Sequence, residues 1–574
     1  MSMMTGGEVL ARCLIQEGVK YVFGIPGDQL YPLLDSIHTS EEIEFVTFRH
    51  EQAAAHAADA WARTTGQPGV CLGTVGPGAA DLVPGVYTAF ADSIPMIVLC
   101  AQNQSWRIHP DHGSSQGLDQ LEMFKPITKW GATVSHWQRI PHLVHWAVRE
   151  ALSGKPGPVF LDLPSDVLYM KCDESTLEDG IVPAEKYRMT RPPVGDPELI
   201  SKAADMLVNA AFPLVHAGGG VLASDSAKEL VEIAEHLQDP VTTSVGARGA
   251  IPEDHPLSLV PASFGAIGAQ CQSDLVLLVG GRFGDLDFWG RAPGWGDCAE
   301  QRLIQIDIAP EMIAHNRVVD LAIVGDAKST LTELLRIVKS KPKAKPRTEM
   351  ADCREAQDSW LTDFVSQGKS DQVPIHPLRM VQEVRDFFPR DAISIVDGGN
   401  IAVWSIYLNR VYEPRRYLQA TDSGHLGVGT GYAIGSKLAY PEKDVYVISG
   451  DGAFMFNIQE LETARRLRTP FIVIIANDRA YGMIKAGQKG LYEERYVGVD
   501  FVDVRYDKLA EAMGCFGARV ERPDEIRPAL EKAKDSGLPA VLDVVVDPEV
   551  NLDPPDFASV ASVWLEGCQL PGED

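Results

Sequence analysis

Short runs rich in β-branched residues alternate with helix-patterned stretches from one end of the chain to the other, and no other feature constrains the fold as much. Strand-like runs fall at 21–25, 69–74, 96–100, 275–280, 303–307, 445–449 and 471–476, and helix-like stretches at 8–17, 50–64, 458–468 and 525–534. Strand and helix in alternation predict an α/β fold of doubly wound parallel sheets covered on both faces by helices. At 574 residues the chain has room for three or four domains of roughly 150 residues each.

Two stretches read as linkers. Residues 187–197 carry Arg191, Pro192, Pro193 and Pro197, and residues 340–346 read SKPKAKP. Both compositions favour exposed, extended chain. Cutting there predicts three domains at 1–186, 195–340 and 365–574, the last with a C-terminal tail. The outer two share a pattern. A strand ends at Gly76-Pro77-Gly78 and Pro95 opens the next, 17 residues after Gly78; a strand ends at Gly450-Asp451-Gly452 and Pro470 opens the next, 18 residues after Gly452. That weak repeat predicts two related domains flanking a third.

Charge and composition exclude whole classes of function. Lys plus Arg number 52 against 79 Asp plus Glu, a net charge of −27, which argues against binding nucleic acid or an anionic membrane surface. An anionic substrate remains compatible, because a local basic pocket acts against the global field. Mean hydropathy is −0.07, and no apolar run is long enough to span a bilayer. Residues 1–10 lack the basic flank and apolar stretch of a signal peptide. The nine cysteines, from Cys13 to Cys568, have no CxxC pair and no rhythm, so free thiols and a cytoplasmic location are expected.

The chemistry concentrates around Gly450-Asp451-Gly452-Ala453. This turn follows the β-like run 445–449 and precedes a helix expected near Asn457. Glycines let the backbone approach a ligand closely, and a helix N-terminus favours an anion; alone, the same residues make a tight turn. The next strand ends at Asn477, 26 residues after Asp451. Adjacent parallel strands end on one rim, so Asp451 and Asn477 can face one another. A carboxylate and an amide oxygen, completed by a backbone carbonyl and diphosphate oxygens, suit octahedral magnesium. This GDG-x(24 to 27)-N spacing resembles the thiamine-diphosphate signature. Such chemistry also needs a carboxylate for the cofactor's aminopyrimidine nitrogen, and Arg49-His50-Glu51 enters an alanine-rich helix, where Glu51 is otherwise a stabilising first-turn acid.

Phe23-Gly24-Ile25-Pro26-Gly27, Arg49-His50-Glu51, Gly76-Pro77-Gly78 and the GDG…N pair stand in the order and spacing of one family. Nearly the whole chain resembles the thiamine-diphosphate-dependent enzymes that include acetolactate synthase, pyruvate oxidase, benzaldehyde lyase, oxalyl-CoA decarboxylase and 2-hydroxyacyl-CoA lyase. The resemblance implies thiamine diphosphate and Mg²⁺ as cofactors. It casts Glu51 as the pyrimidine-activating acid and Asp451, Asn477 and the Arg479 carbonyl as metal ligands. Gly398, Gly399, Asn400, Gly452 and Ala453 then hold the diphosphate, and Gly76, Gly450 and Gly482 lie at the cofactor. Leu426 takes the place of the apolar wedge that bends the cofactor. Gly27, Gln29, Gln116, Tyr481, Met483 and Ile484 surround the reacting ring. Because the family places the two cofactor halves on different chains, a homodimer or homotetramer is implied.

Which member this is turns on the substrate side. Gln116 resembles the active-site glutamine of benzaldehyde lyase and acetolactate synthase, whereas oxalyl-CoA decarboxylase has a Tyr-Glu pair where this chain has Ser115-Gln116. Gln29 stands where benzaldehyde lyase uses a histidine. Acetolactate synthases carry a bulky Gln-Trp-Gln after this Met, and here Met483 is followed by Ile484-Lys485-Ala486-Gly487-Gln488, which predicts a channel wide enough for an acyl-CoA. Lys485, Lys489 and Arg495 are expected to meet CoA phosphates, with a solvated charged segment as the plain alternative. Glu493, beside Leu491 and Tyr492 and after a turn at Gly490, is expected to carry a raised pKa and to move the proton; a surface glutamate in a charged loop is the plain alternative. In the middle domain Gly281 and Arg282 follow one strand and Asp307 and Ile308 end another, with Asp326 nearby. Such a set suits a nucleotide, read as ADP with FAD as the alternative. The expected activity is cleavage of a 2-hydroxyacyl-CoA to an aldehyde or ketone and formyl-CoA. The alternative is an acetolactate-synthase-like carboligase acting on 2-keto acids. A scaffold homologue without chemistry is disfavoured by intact Glu51, Asp451 and Asn477.

Overall fold

The computed structural model of the chain describes residues 3–176, 180–555 and 566. The tail beyond 555 and Cys568 therefore lie outside the described residues, apart from Glu566. Three parallel sheets carry the fold. The first runs in the order Glu44–Thr47, Tyr21–Gly24, Gly69–Gly73, Met96–Gln102, Pro158–Pro164, Trp130–Thr133. The third runs Tyr417–Leu418, Ile393–Asp397, Val445–Gly450, Ile472–Asn477, Ala540–Val545, Phe516–Val520. Counted in chain order within each sheet, both read 2-1-3-4-6-5. This shared strand order relates the outer domains far more firmly than the Gly-to-Pro spacing does.

The middle sheet has five strands, Val241–Thr243, Pro213–Ala217, Leu275–Val279, Arg302–Asp307 and Leu321–Val324, in the doubly wound order 2-1-3-4-5. Their inner runs are buried on both faces, as Leu275–Val279 shows throughout, which is why they read as continuous apolar runs rather than alternating ones. In all three sheets the order reverses between the first and third strands. Ligands of open α/β sheets bind in the crevice at that reversal, outside the carboxyl ends of the strands. The glycine turns at 26–27 and 76–78, at 218–220 and 280–281, and at 398–399 and 450–452 follow those strands.

The chain packs as two compact units: 1–191 with 420–442 and 455–470, and 192–419 with 443–454 and 471 onward. The helices Gly429–Ala439 and Glu460–Leu467, from the third domain's sequence, thus belong to the first unit. There Gly429–Ala439 lies on Glu51–Thr65, and Tyr432 Oη donates to Asp59 Oδ2 at 2.5 Å. Arg63 grips both Asp59 oxygens and reaches Asp92 at 2.7 Å. A largely buried arginine held by two carboxylates is satisfied only if this packing is kept. Eight cysteines among the described residues are free. No helix of these residues is long and apolar enough to cross a membrane.

Candidate active site

The third sheet brings together one group of the expected residues. Strand Val445–Gly450 delivers Asp451, and strand Ile472–Asn477 beside it delivers Asn477. Asp451 is almost fully buried, and its Oδ1 accepts the Gly452 N–H at 2.9 Å. Burial first, and then the neighbouring Asp478 carboxylate, push its pKa upward. Asn477 Nδ2 donates to Asp543 Oδ1 at 2.7 Å, which turns Oδ1 the other way; that oxygen is buried and has no hydrogen-bond partner. Two carboxylates crowded in a dry place beside an unused amide oxygen are unfavourable until a cation joins them. The donor set therefore fits a divalent metal. Arg479 adopts φ +59°, and its carbonyl accepts the Phe501 N–H at 2.8 Å, leaving one lone pair for a metal.

The predicted diphosphate residues lie on the same rim. A Cβ on Gly399 would stand 2.7 Å from Met483 Cβ, and one on Gly482 2.8 Å from Asp478 Oδ2, so a side chain at either position would collide with the neighbouring side chain as placed. Tyr481 covers Gly452, whose added Cβ would fall 2.8 Å from its ring, and Ala453 is buried next to it. Asn400 Nδ2 donates to the Asn551 carbonyl and Asn551 Nδ2 to Asp478 Oδ2, each at 2.7 Å, while both Oδ1 atoms are buried without partners. Asp478, Asp543 and Asn551 escaped the sequence reading. Asp478 was legible in the dipeptide Asn477-Asp478, but nothing in sequence links Asp543, 66 residues on, to Asn477.

The first sheet, in the other unit, carries a second group of the expected residues. Glu51 opens the helix Glu51–Thr65 and is 6% exposed. Burial raises its pKa and Asp81 adds to the rise, opposed by its own backbone N–H and by His50. His50, Glu51 and Asp81 bring one donor atom each within 4.8 Å of one another. A Cβ on Gly78 would lie 2.9 Å from Glu51 Oε1, so the Gly76-Pro77-Gly78 turn lies against this carboxyl. Gly76 holds φ +70°, and a Cβ there would strike the Gln116 carbonyl at 2.4 Å. Gln116 is thus brought to the turn. Gln29 Oε1 accepts the Thr74 hydroxyl at 2.9 Å, and a Cβ on Gly27 would lie 2.2 Å from that hydroxyl. Leu426 is half-buried in a loop pinned by Asn457 Nδ2, which donates to the Gly427 carbonyl at 2.7 Å.

Glu460, also absent from the sequence reading, holds the start of the Glu51 helix. It is fully buried, accepts the Arg49 N–H at 3.2 Å and the Thr463 hydroxyl at 2.6 Å, and burial pushes its pKa up to about 7. The helix expected from Asn457 begins here, at Glu460.

The segment after Met483 differs from expectation. Its helix runs Gly482–Leu491, so Gly490 lies inside it, and the chain turns instead at Glu493 and Glu494, both left-handed at φ +52° and +61°. The Glu493 side chain is 87% exposed and paired with Arg495 at 2.9 Å; the apolar surroundings expected for it are not there. Lys485 is paired with Asp500 at 2.6 Å and Lys489 with Asp553 at 3.0 Å, so the three cations expected at CoA phosphates each already hold an acid. Ile484 is 58% exposed, and Gly487 and Gly490 face open space.

In the middle domain Asp307 ends its strand buried, with Oδ1 accepting the Ala309 N–H at 2.9 Å; Ile308 follows, half-buried. Asp326 acts as a helix cap, its Oδ1 accepting Ser329 N–H at 2.8 Å. Gly281 and Arg282 sit at the strand reversal, where Gly218 and Gly220 press on Gly280. The run Gly218-Gly219-Gly220 after a strand was the overlooked signal.

The chain matches three family models: the thiamine pyrophosphate enzyme N-terminal TPP binding domain over residues 4–123, the central domain over 200–334, and the C-terminal TPP binding domain over 397–544. It is similar to a probable acetolactate synthase large subunit of Methanococcus aeolicus, 35% identical over 95% of this chain and 92% of that one. It is also similar to the acetolactate synthase isozyme 3 large subunit of Escherichia coli strain K12, 33% identical over 98% and 99%. With an acetolactate synthase of Mycobacterium bovis the identity is 33% over 96% and 90%. A match of this extent, on a fold whose outer two sheets put the GDG…N pair and Glu51 at their strand-end rims, places the chain in the family of thiamine-pyrophosphate-dependent enzymes.

Proposed function

We propose that the chain uses thiamine diphosphate and Mg²⁺ to make or break a carbon–carbon bond beside a carbonyl, and that its substrates are 2-keto acids, as in an acetolactate-synthase-like decarboxylating carboligase. The observation that carries this reading is the near end-to-end similarity to proteins named acetolactate synthases. The uncharged amides of Gln29 and Gln116 suit it, since they hydrogen-bond a small keto acid without an added charge. These relatives favour it over the acyl-CoA lyase, and the cations expected to bind CoA already lie beside acids of this chain.

Asp451, Asn477 and the Arg479 carbonyl would hold the metal, and the backbone from Gly398 to Asn400 and from Gly450 to Ala453 the diphosphate. Tyr481, Gly482 and Met483 would close over it, and Leu426 would support the ring. Thiamine diphosphate, when bound, supplies the carbon nucleophile and electron sink that such bond changes require. Glu51 shares a proton with the pyrimidine ring nitrogen, a task suited to a carboxyl whose pKa burial raises. Gln29 keeps its Nε2 protons for a substrate carbonyl, its Oε1 being engaged by Thr74. The active unit is a homodimer or homotetramer. The middle domain binds an adenine nucleotide through Gly281, Arg282, Asp307 and Ile308; a flavin spectrum of the purified protein identifies FAD, and a colourless protein that releases ADP on denaturation identifies ADP.

A second reading, cleavage of a 2-hydroxyacyl-CoA with Glu493 moving the proton, rests on one observation. Ala486, Gly487 and Gly490 replace bulk on the helix after Met483, and two of them face open space, which gives a long substrate room. Purified protein is incubated with pyruvate or with 2-hydroxyacyl-CoAs, with and without thiamine diphosphate and Mg²⁺. Cofactor-dependent acetolactate and CO₂ support the first reading. Formyl-CoA with an aldehyde or ketone, and no acetolactate, replaces it with the second; Glu493→Gln then abolishes that turnover while Glu494→Ala does not.

A further inference from the structure

One buried polar network has no part in the chemistry above. Asp162, near the end of strand Pro158–Pro164, and Gln120, at the start of helix Gln120–Phe124, are both fully buried. Gln120 Nε2 donates to Asp162 Oδ1 at 2.8 Å and to the Ala101 carbonyl at 2.9 Å, and its Oε1 accepts the Gly76 N–H at 2.7 Å. Every hydrogen-bonding site of the amide head but one lone pair is used. Asp162 also accepts Gln102 Nε2 at 3.4 Å and the Thr133 hydroxyl at 3.0 Å. Gln102 Nε2 donates in turn to the Leu118 carbonyl at 3.1 Å, and Asn103 Nδ2 to the Ser115 carbonyl at 3.2 Å. The loop is therefore gripped on both sides of Gln116, which stands at φ +60°, a conformation a non-glycine residue holds only under constraint.

We propose that Asp162 and Gln120 are positioning residues: the buried carboxylate fixes the Gln120 amide, which fixes the Gly76 turn and so the places of Gln116 and of the Glu51 carboxyl. The inference rests on the reading that Gln116 and Glu51 face the reacting end of the cofactor. A buried carboxylate is a costly way to fill a core, where an apolar residue of the same volume serves stability better. Burial pushes the Asp162 pKa up to about 6. Two of its three side-chain partners lead to the segments that carry Gln116 and Gly76. The titratable groups facing it from neighbouring elements are His109, which approaches through the Thr133 hydroxyl, and the Cys100 thiol, itself pushed far up by burial.

Gln120→Leu and Gln120→Glu test this in the full-length, cofactor-loaded protein. With Gln120→Leu, kcat/KM falls about 10²-fold, the cost of a small misplacement at a reacting centre, while thiamine diphosphate is still bound; Tm falls as well, because Asp162 and the Gly76 N–H lose a buried partner. Amide exchange over residues 103–119 accelerates. Gln120→Glu sets two carboxyls in contact, which cannot both ionise. Its turnover recovers relative to wild type as the pH falls and the pair shares a proton, because a protonated Glu still donates to Asp162 and accepts from Gly76. Wild-type exchange and kcat/KM in Gln120→Leu overturn the inference, and so does a Gln120→Glu profile that is merely parallel to wild type. If the wild-type protein shows no thiamine-diphosphate-dependent turnover at all, the functional reading fails by itself. Exchange over 103–119 then decides the positioning role alone: faster supports it, unchanged overturns it.

Discussion

Glu51 is pulled two ways: burial and Asp81 favour its protonated form, while its own backbone N–H and His50 favour the carboxylate. Glu51→Gln keeps the shape and removes the titration, so it is expected to leave the fold and cofactor binding intact and to lower turnover about 10²–10⁴-fold. Steady-state kinetics beside calorimetric cofactor titration check this, and near-wild-type turnover would remove Glu51 from the chemistry. Glu460 supports a different measurement. Its folded-state pKa is raised to about 7, so the folded protein holds this proton more tightly than the unfolded chain does. The stability it contributes is complete below the ordinary value of 4.5 and is lost as the pH rises through about 7. Glu460→Gln should therefore flatten the fall in Tm of the apo protein between about pH 4.5 and about pH 7; an unchanged slope contradicts the assignment. Glu51 was legible because it sits at a strand-to-helix junction within a family motif. Glu460 was not, because its partner Arg49 lies 411 residues away and only the folded chain brings them together.

Among elements, the contact between helices Glu51–Thr65 and Gly429–Ala439 depends on the absence of side chains. A Cβ on Gly435 would stand 2.3 Å from the Ala57 carbonyl oxygen, and one on Gly431 2.8 Å from that of Ala53. Gly435→Ala gains up to about 1 kcal/mol of helix propensity but forces the backbones apart, at an overpacking cost of about 1–3 kcal/mol. A net loss in denaturant-unfolding stability is expected, and a gain would show that the helices separate freely. The elements themselves were readable to within a few residues, since periodicity and turn chemistry are local: the stretch 50–64 is the helix Glu51–Thr65, and 445–449 the strand Val445–Gly450. What failed was a turn. Gly490 promised to end the helix after Met483, yet the helix runs through it to Leu491. Glu493 and Glu494 take up the left-handed backbone instead, and at such a turn Glu493 projects outward and pairs with Arg495.

For the whole molecule, a site shared between chains makes a strong demand. Asp451→Ala removes the carboxylate from the proposed metal set and should abolish thiamine diphosphate binding at that half; Glu51→Gln disables the other half. If each site draws Glu51 from one chain and Asp451 from another, dissociating and remixing the two inactive variants restores a fraction of wild-type turnover, read against each variant alone. No recovery would confine each site to a single chain. The sequence by itself determined the three parallel α/β sheets, the GDG…N rim and the family, because these rest on local periodicity and on short motifs whose spacing survives unfolding. Only the tertiary structure decided that Asn477 turns its free oxygen inward on a hydrogen bond to Asp543, that Glu460 holds the Glu51 helix, that Asp162 stands behind Gln116, and that Lys485, Lys489 and Arg495 are already paired. Each of these is a contact between residues whose direction and burial are set by packing, and no spacing along the chain encodes a side chain's direction.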